Sequence, residues 1–263
     1  MSRADGDGTP LVGAYLGDAT SLVRRERRRC TDERTAFRAF RSAVADVRPT
    51  APPEGSGGPP AAGALSRTGR SASLTAVSRE YRRTVMAVPH YESEYGDEYA
   101  ESVAAEFGEA VAAGLTGGGT LTPPLRGAVV EGATAAMRER EEFVSLLAAE
   151  SSSLASARTT VDDSVDRLRA LDNRPLSERS FADLARLRTA VLDVRDGLDE
   201  AAARRQETMR SHRRTLSNRA PSVAGYLYAD LPVDHPALDA LASARSLVET
   251  ALARVDRRSV AAL

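Results

Sequence analysis

Lysine and tryptophan are absent from this sequence, and cysteine occurs once. With Cys30 as the single thiol, no intramolecular disulfide and no cysteine-based zinc site can form. Cys30 falls on an apolar helix position and reads as a small core residue in a reducing compartment. Aromatic residues make up only 5% of the chain, while Ala, Arg, Glu, Asp and Leu dominate, a composition of long helices and not of a β-sandwich. No run approaches the ~20 apolar residues of a membrane span. Residues 1–10 are polar and acidic and lack the basic-then-apolar pattern of a signal peptide, so a cytoplasmic protein is expected.

An excess of charge is also missing. The 263 residues carry a formal net charge of −1, which gives no global attraction to nucleic acid or to an anionic membrane. All 36 basic residues are arginine. A GC-rich genome is the simplest reading, with a need for bidentate guanidinium contacts as the alternative.

Catalytic signatures are equally scarce. The three histidines, His90, His212 and His235, have no second histidine at helical i,i+4 spacing. The run Gly117–Gly119 follows a helix and lacks the Gly-Lys-Ser/Thr ending of a phosphate loop. There is no Gly-x-Ser-x-Gly elbow. Carboxylate pairs such as Glu141–Glu142 and Asp162–Asp163 read as solvated helix faces. The expectation is a protein that is not an enzyme, with no metal and no cofactor.

What is present is helical periodicity. A polar tail over 1–14 precedes a first helix over about 15–48, in which Leu16, Val23, Cys30, Phe37 and Val44 fall seven apart. Glu26 and Glu33 occupy its companion positions, so the middle of that seam is poor. Residues 49–73, rich in Pro, Gly and Ser, predict a disordered linker. Leu74, Val77, Tyr81, Val85 and Val88 predict a second helix ending before Pro89. A turn over 90–96 leads to a third helix marked by Tyr99, Val103, Phe107 and Val111.

Thr122 as N-cap and Pro123 at the first helical position open a long helix to about Leu171. Arg140 and Glu150 interrupt its stripe, and a break near Ser151–Ser153 is one option. Ser180 with Asp183 forms a capping-box variant for the next helix, which runs through Leu184, Val191 and Leu198 to Leu216. A short loop between two heptad-bearing helices implies an antiparallel hairpin over about 123–216. A helical turn follows Val223, and Pro236 starts the last helix. The expected fold is therefore all-α: an elongated bundle over 74–263 built on the hairpin, with a tethered N-terminal helix.

Two features could carry function. Arg204, Arg205, Arg210, Arg213 and Arg214 form a basic cluster that could follow phosphates, or could be a salt-bridged surface. Six of seven tyrosines lie in two segments, each with a histidine beside a proline. Tyr81, His90, Tyr91, Tyr95 and Tyr99 form the first, and Tyr226, Tyr228 and His235 the second. They are either helix corners where amphipathic rings pack, or two halves of a ligand or partner pocket.

The stretches "YRRTVMAVPHYESEYGDEYAESVAAEFG", "LTPPLRGAV", "RPLSERSFADL" and "YLYADLPVDHPALDAL" resemble an uncharacterised family of haloarchaeal proteins. The likeness covers residues 79–115, 121–218 and 223–258, and "DERTAFRAFRSAV" is similar to the family's opening helix. It implies an architecture and a source but no mechanism. The near-neutral charge departs from the acidic excess usual in such proteins. The leading functional expectation is a helical interaction or scaffold protein that self-associates through its heptad seams. The rivals are a nucleic-acid-associated regulator using the arginine cluster and a small-ligand sensor at the tyrosine corners.

Overall fold

A computed structural model describes residues 12–49, 63–216 and 223–261. Among them it contains α-helices and no strand, as an all-α chain requires: α1 Leu16–Asp46, α2 Gly63–Thr84, α3 Tyr91–Glu94, α4 Tyr99–Phe107, α5 Glu109–Thr116, α6 Pro123–Leu171, α7 Phe181–Leu216, α8 Val223–Leu227 and α9 Pro236–Val260. The chain divides into two compact units, one of Arg27–Ser145 and one of Met1–Glu26 with Leu146–Leu263.

The long helices start where local chemistry says they should. The Leu125 amide donates to Thr122 Oγ1 at 3.3 Å, and Pro123 opens α6. The 49 residues of α6 run unbroken through Ser151–Ser153, so the optional break is not used. At α7 the Asp183 amide donates to Ser180 Oγ at 3.2 Å and the Ser180 amide returns a bond to Asp183 Oδ2 at 3.3 Å. These bonds, with Arg186, lower the Asp183 carboxyl to about 2.

Three segments differ from expectation. Much of the tail over 1–14 and the part of the linker over 50–62 lie outside the described residues, but α2 begins at Gly63, inside the segment read as linker. After Pro60 no proline recurs until Pro89, and Ala, Leu and Arg accept a helix without any apolar stripe. The same helix stops at Thr84, short of Val88, because the Val85 and Met86 amides both turn back to the Tyr81 carbonyl. The expected third helix is two, α4 and α5, split by Gly108 at φ +85°, a left-handed conformation open to glycine.

In the unit Arg27–Ser145 the core gathers Phe37, Phe40 and Val44 of α1, Val77 and Tyr81 of α2, Val103 of α4 and Val129 and Ala133 of α6. Phe40 stacks on Phe107 with centroids 6.0 Å apart, and Tyr81 meets Phe40 edge-on at 5.1 Å. Gly132 makes this packing possible, since a Cβ there would lie 2.7 Å from Phe107 Cδ1.

The other unit contains residues 16–26 of α1 and 146–171 of α6 together with α7, α8 and α9. Arg188 pairs with Asp256 and Arg245 with Asp199, so α7 and α9 run antiparallel. Such exposed pairs fix register more than stability, at ~0–1 kcal/mol each. Leu154, Val161, Leu184, Val191, Leu198, Leu241 and Val248 are all buried, and α9 packs along α7.

The glycines of α6 offer a paired test. Gly127→Ala meets nothing within 4 Å and should gain up to about 1 kcal/mol of helix propensity. Gly132→Ala drives a methyl into a ring held by Phe37, Phe40 and Tyr81, and should lose about 1–3 kcal/mol. Urea denaturation of both variants reads the difference in sign.

Candidate functional site

The residues that break the heptad seams are the chemically distinctive ones. A carboxylate at a seam position is carried into the interior by its neighbours, and a buried charge persists only if it is paired and hydrogen-bonded. Each unit contains one such glutamate with an arginine, a histidine and a tyrosine around it.

In the unit Arg27–Ser145 the carboxylate is Glu33 of α1, 11% exposed. His90 Nε2 donates to Oε1 at 2.9 Å, and the Tyr95 hydroxyl donates to the same oxygen at 2.9 Å. Arg140 of α6 donates Nε to Glu33 Oε2 at 3.1 Å and its two terminal nitrogens to Glu106 of α4 at 3.0 and 2.5 Å. Its guanidinium also lies over the Phe37 ring, 4.8 Å from the centroid. Burial pushes Glu33 up, but His90, Arg140 and Tyr95 together outweigh it and hold the carboxyl below its ordinary range. For Glu106 burial prevails over Arg140 and the pKa is raised. Every guanidinium nitrogen of Arg140 has an acceptor, so this cluster is saturated.

In the second unit the carboxylate is Glu150 of α6, fully buried. Arg205 of α7 holds it with a two-pronged fork, Nη1 to Oε2 at 2.7 Å and Nη2 to Oε1 at 2.8 Å. Arg205 Nη1 also donates to Ser153 Oγ at 3.1 Å. The Tyr228 hydroxyl, just after α8, donates to Glu150 Oε1 at 2.5 Å. His212 Nδ1 stands 3.4 Å from Oε2. Burial raises Glu150, but Arg205 and Tyr228 more than offset it and the carboxyl is lowered. Burial raises the Tyr228 hydroxyl, and the Glu150 charge adds to that.

His212 is lowered too, because burial outweighs the Glu150 charge and Arg205 opposes protonation. A dominant ion pair would raise the imidazole, so burial biases His212 toward the neutral form and Arg205 is the main counter-charge to Glu150. Arg205 Nε and His212 Nε2 are buried and find no hydrogen-bond partner among the described residues. Each such group costs about 1–3 kcal/mol. Both residues, with Glu150, Arg213 and His235, help to wall a cavity of about 160 Å³.

The tyrosine corners therefore resolve into different roles. Tyr81 is a core ring, its hydroxyl 2.9 Å from Ser102 Oγ, and Tyr91 is buried beside it in the same unit. Tyr95, His90 and Tyr228 reach the buried glutamates. Tyr226 donates to Glu26 Oε1 at 2.8 Å. His235 is exposed and precedes α9. The two corners fall in different units, and each closes on glutamates of its own unit. Sequence reasoning passed over Glu33 and Glu150 as seam defects, although a carboxylate at a seam position was itself the signal.

The arginine cluster is corrected at one residue and muted at three. Arg205 is 3% exposed under Glu150 and is no part of a surface, because its fork is spent on a buried carboxylate. Arg210 and Arg214 both hold Glu207, at 2.9 and 3.0 Å, and Arg204 lies 3.6 Å from Glu200. Arg213 is exposed and faces the cavity. Among the described residues no group of histidine, cysteine and acidic side chains could hold a metal ion, and no helix is long and apolar enough to cross a membrane.

Fold and clusters together define an all-helical protein whose polar interior is organised around buried glutamates. The chain belongs to the family described as Domain of unknown function (DUF7260), whose model matches residues 14–252. No curated protein matches it, and no solved structure does.

Glu150→Ala strands the Arg205 charge and should cost about 3–5 kcal/mol, whereas the double variant Glu150→Leu with Arg205→Met should recover most of that loss. Because Glu150 is lowered from its ordinary 4.5, its contribution is complete above that pH and disappears as acid titrates the folded carboxylate. Denaturation at neutral pH and at about pH 3.5 should show a smaller acid loss in the double variant than in the native chain.

Proposed function

We propose that this chain is a non-enzymatic helical interaction protein that joins two copies of itself through the open end of its hairpin bundle. One observation carries the reading. The helix α9 packs along α7, but where α6 ends and α7 begins a groove of about 330 Å³ stays open. Leu168, Leu171, Leu176, Leu187, Leu247 and Val255 line it. The place available for a partner is thus the end of the hairpin, and not the length of the heptads.

The hairpin turn is built to stay in place. Arg179 Nη2 donates to the Leu171 carbonyl at 2.8 Å, which satisfies the end of α6. Arg258 Nη2 donates to the Ser177 carbonyl at 3.2 Å and anchors α9 to the same turn. At this end Phe181 is 52% exposed and Val260 is 73% exposed, an unusual outlay of apolar surface. A knob and a hole on one face suit a twofold contact, in which each copy both gives and receives.

Charge supports a second copy over an unrelated partner. Asp172 and Arg254 both border the groove, and neither has an ion-pair partner among the described residues. A twofold axis can place the acid of one copy against the base of the other.

Sedimentation velocity, run at low salt and again at the high salt suggested by the haloarchaeal resemblance, is the test. A concentration-dependent dimer is expected in both. Phe181→Glu should weaken it at least about tenfold, or ~1.4 kcal/mol. Asp172→Arg and Arg254→Glu should each weaken it, and the two together should restore it. A strict monomer at high concentration in both salts removes the reading.

A further inference from the structure

The two buried glutamate clusters use the same four residue types, but only one is saturated. Around Glu33 all three guanidinium nitrogens of Arg140 have carboxylate acceptors, and His90 Nε2 is bonded. Around Glu150 both carboxylate oxygens are taken by Arg205, with Tyr228 adding a third bond. Among the described residues two buried nitrogens are left without a partner: Arg205 Nε, a donor, and His212 Nε2, which becomes a donor when the ring is protonated, in side chains 3% and 8% exposed.

These two residues share the walls of the 160 Å³ cavity with Arg213 and His235. The apolar contribution is small, from Met209, Val223 and Ala224. An apolar ligand finds few partners here, and a cation finds no free carboxylate oxygen. An acceptor-rich anion supplies what the walls lack. The space suits a group the size of phosphate or acetate. Arg213 and His235 are exposed, so the entry side carries the Arg213 charge.

We infer that the cavity beside Arg205 and His212 binds a small oxyanion of phosphate or carboxylate chemistry, held by Arg205, His212 and Arg213. Binding is coupled to a proton. The groups that face His212 are Glu150 from α6, Arg205 and Arg213 from its own helix α7, and His235 ahead of α9. In the free protein burial favours the neutral imidazole. An anion at Nε2 favours the imidazolium, which then donates Nε2–H to the anion and Nδ1–H to Glu150. The site therefore takes up one proton with its ligand, and affinity rises as pH falls.

Calorimetric titration of the full chain with sulfate and, separately, with acetate tests this at about pH 6 and pH 8. Neither probe changes its own charge appreciably across that range. One saturable site is expected, tightening up to about tenfold per pH unit when a single proton is linked. Sulfate binding alone assigns phosphate chemistry, and acetate binding alone assigns carboxylate chemistry. His212→Gln should flatten the pH dependence. Arg213→Gln, at an exposed position that leaves the fold intact, should weaken binding at least about tenfold. No saturable heat from either anion at tens of millimolar overturns the inference, as does binding that both variants leave unchanged. Failure of the dimer would not touch this result, because the cavity is built within a single chain.

Discussion

A carboxylate set into an apolar helical seam cannot be satisfied by its own helix. It has to draw donors from other elements, at fixed distances and angles, or lose its charge. Glu150 and Glu33 impose that demand on the two units. Arg205 answers Glu150 with a fork that accepts a single register between α6 and α7. Tyr228 brings in the segment after α8. Around Glu33, Arg140, His90 and Tyr95 do the same for α1, α6 and the connection between α2 and α4. Apolar knobs tolerate a slip of one turn far better than a bidentate fork does, so the charged pairs supply specificity where the leucines supply most of the burial energy.

The clusters also explain where function can reside. The Glu33 cluster closes on Arg140 and Glu106, and each guanidinium nitrogen of Arg140 has a carboxylate acceptor, as a purely structural centre should. Among the described residues the Glu150 cluster keeps two unpartnered nitrogens, Arg205 Nε and His212 Nε2, in residues beside a cavity, a cost that a structure carries only where something else repays it. The hairpin end is a separate opening, apolar where the cavity is polar.

The legible part of the fold was local. Thr122 and Ser180 with Asp183 mark helix starts through contacts within three residues and Pro236 through its fixed φ, and the structure places α6, α7 and α9 there. Seam positions such as Leu154, Val191 and Val248 were equally readable, because burial follows period. The break at Gly108 was not, since a lone glycine inside a helical pattern has two outcomes and tertiary packing chooses between them. The polar centres were hidden for a deeper reason. Their partners stand far apart in the chain, Glu33 and Arg140 separated by 107 positions and Glu150 and Arg205 by 55, and no periodicity encodes such a pairing. What the sequence offered was only the anomaly: a glutamate where an apolar residue belonged. The tyrosine corners gave half of the remainder, the rings without their destination.

The central claim is that two glutamates stay ionised inside the protein because arginine, histidine and tyrosine hold them so. Carbon-detected NMR titration of the side-chain carboxyls measures this directly, with Glu33→Gln and Glu150→Gln identifying the two resonances. Both carboxyls should titrate below the ordinary glutamate value of 4.5. A Glu33 or Glu150 that titrates at or above that value would show that burial wins, and the account of both units would fail with it.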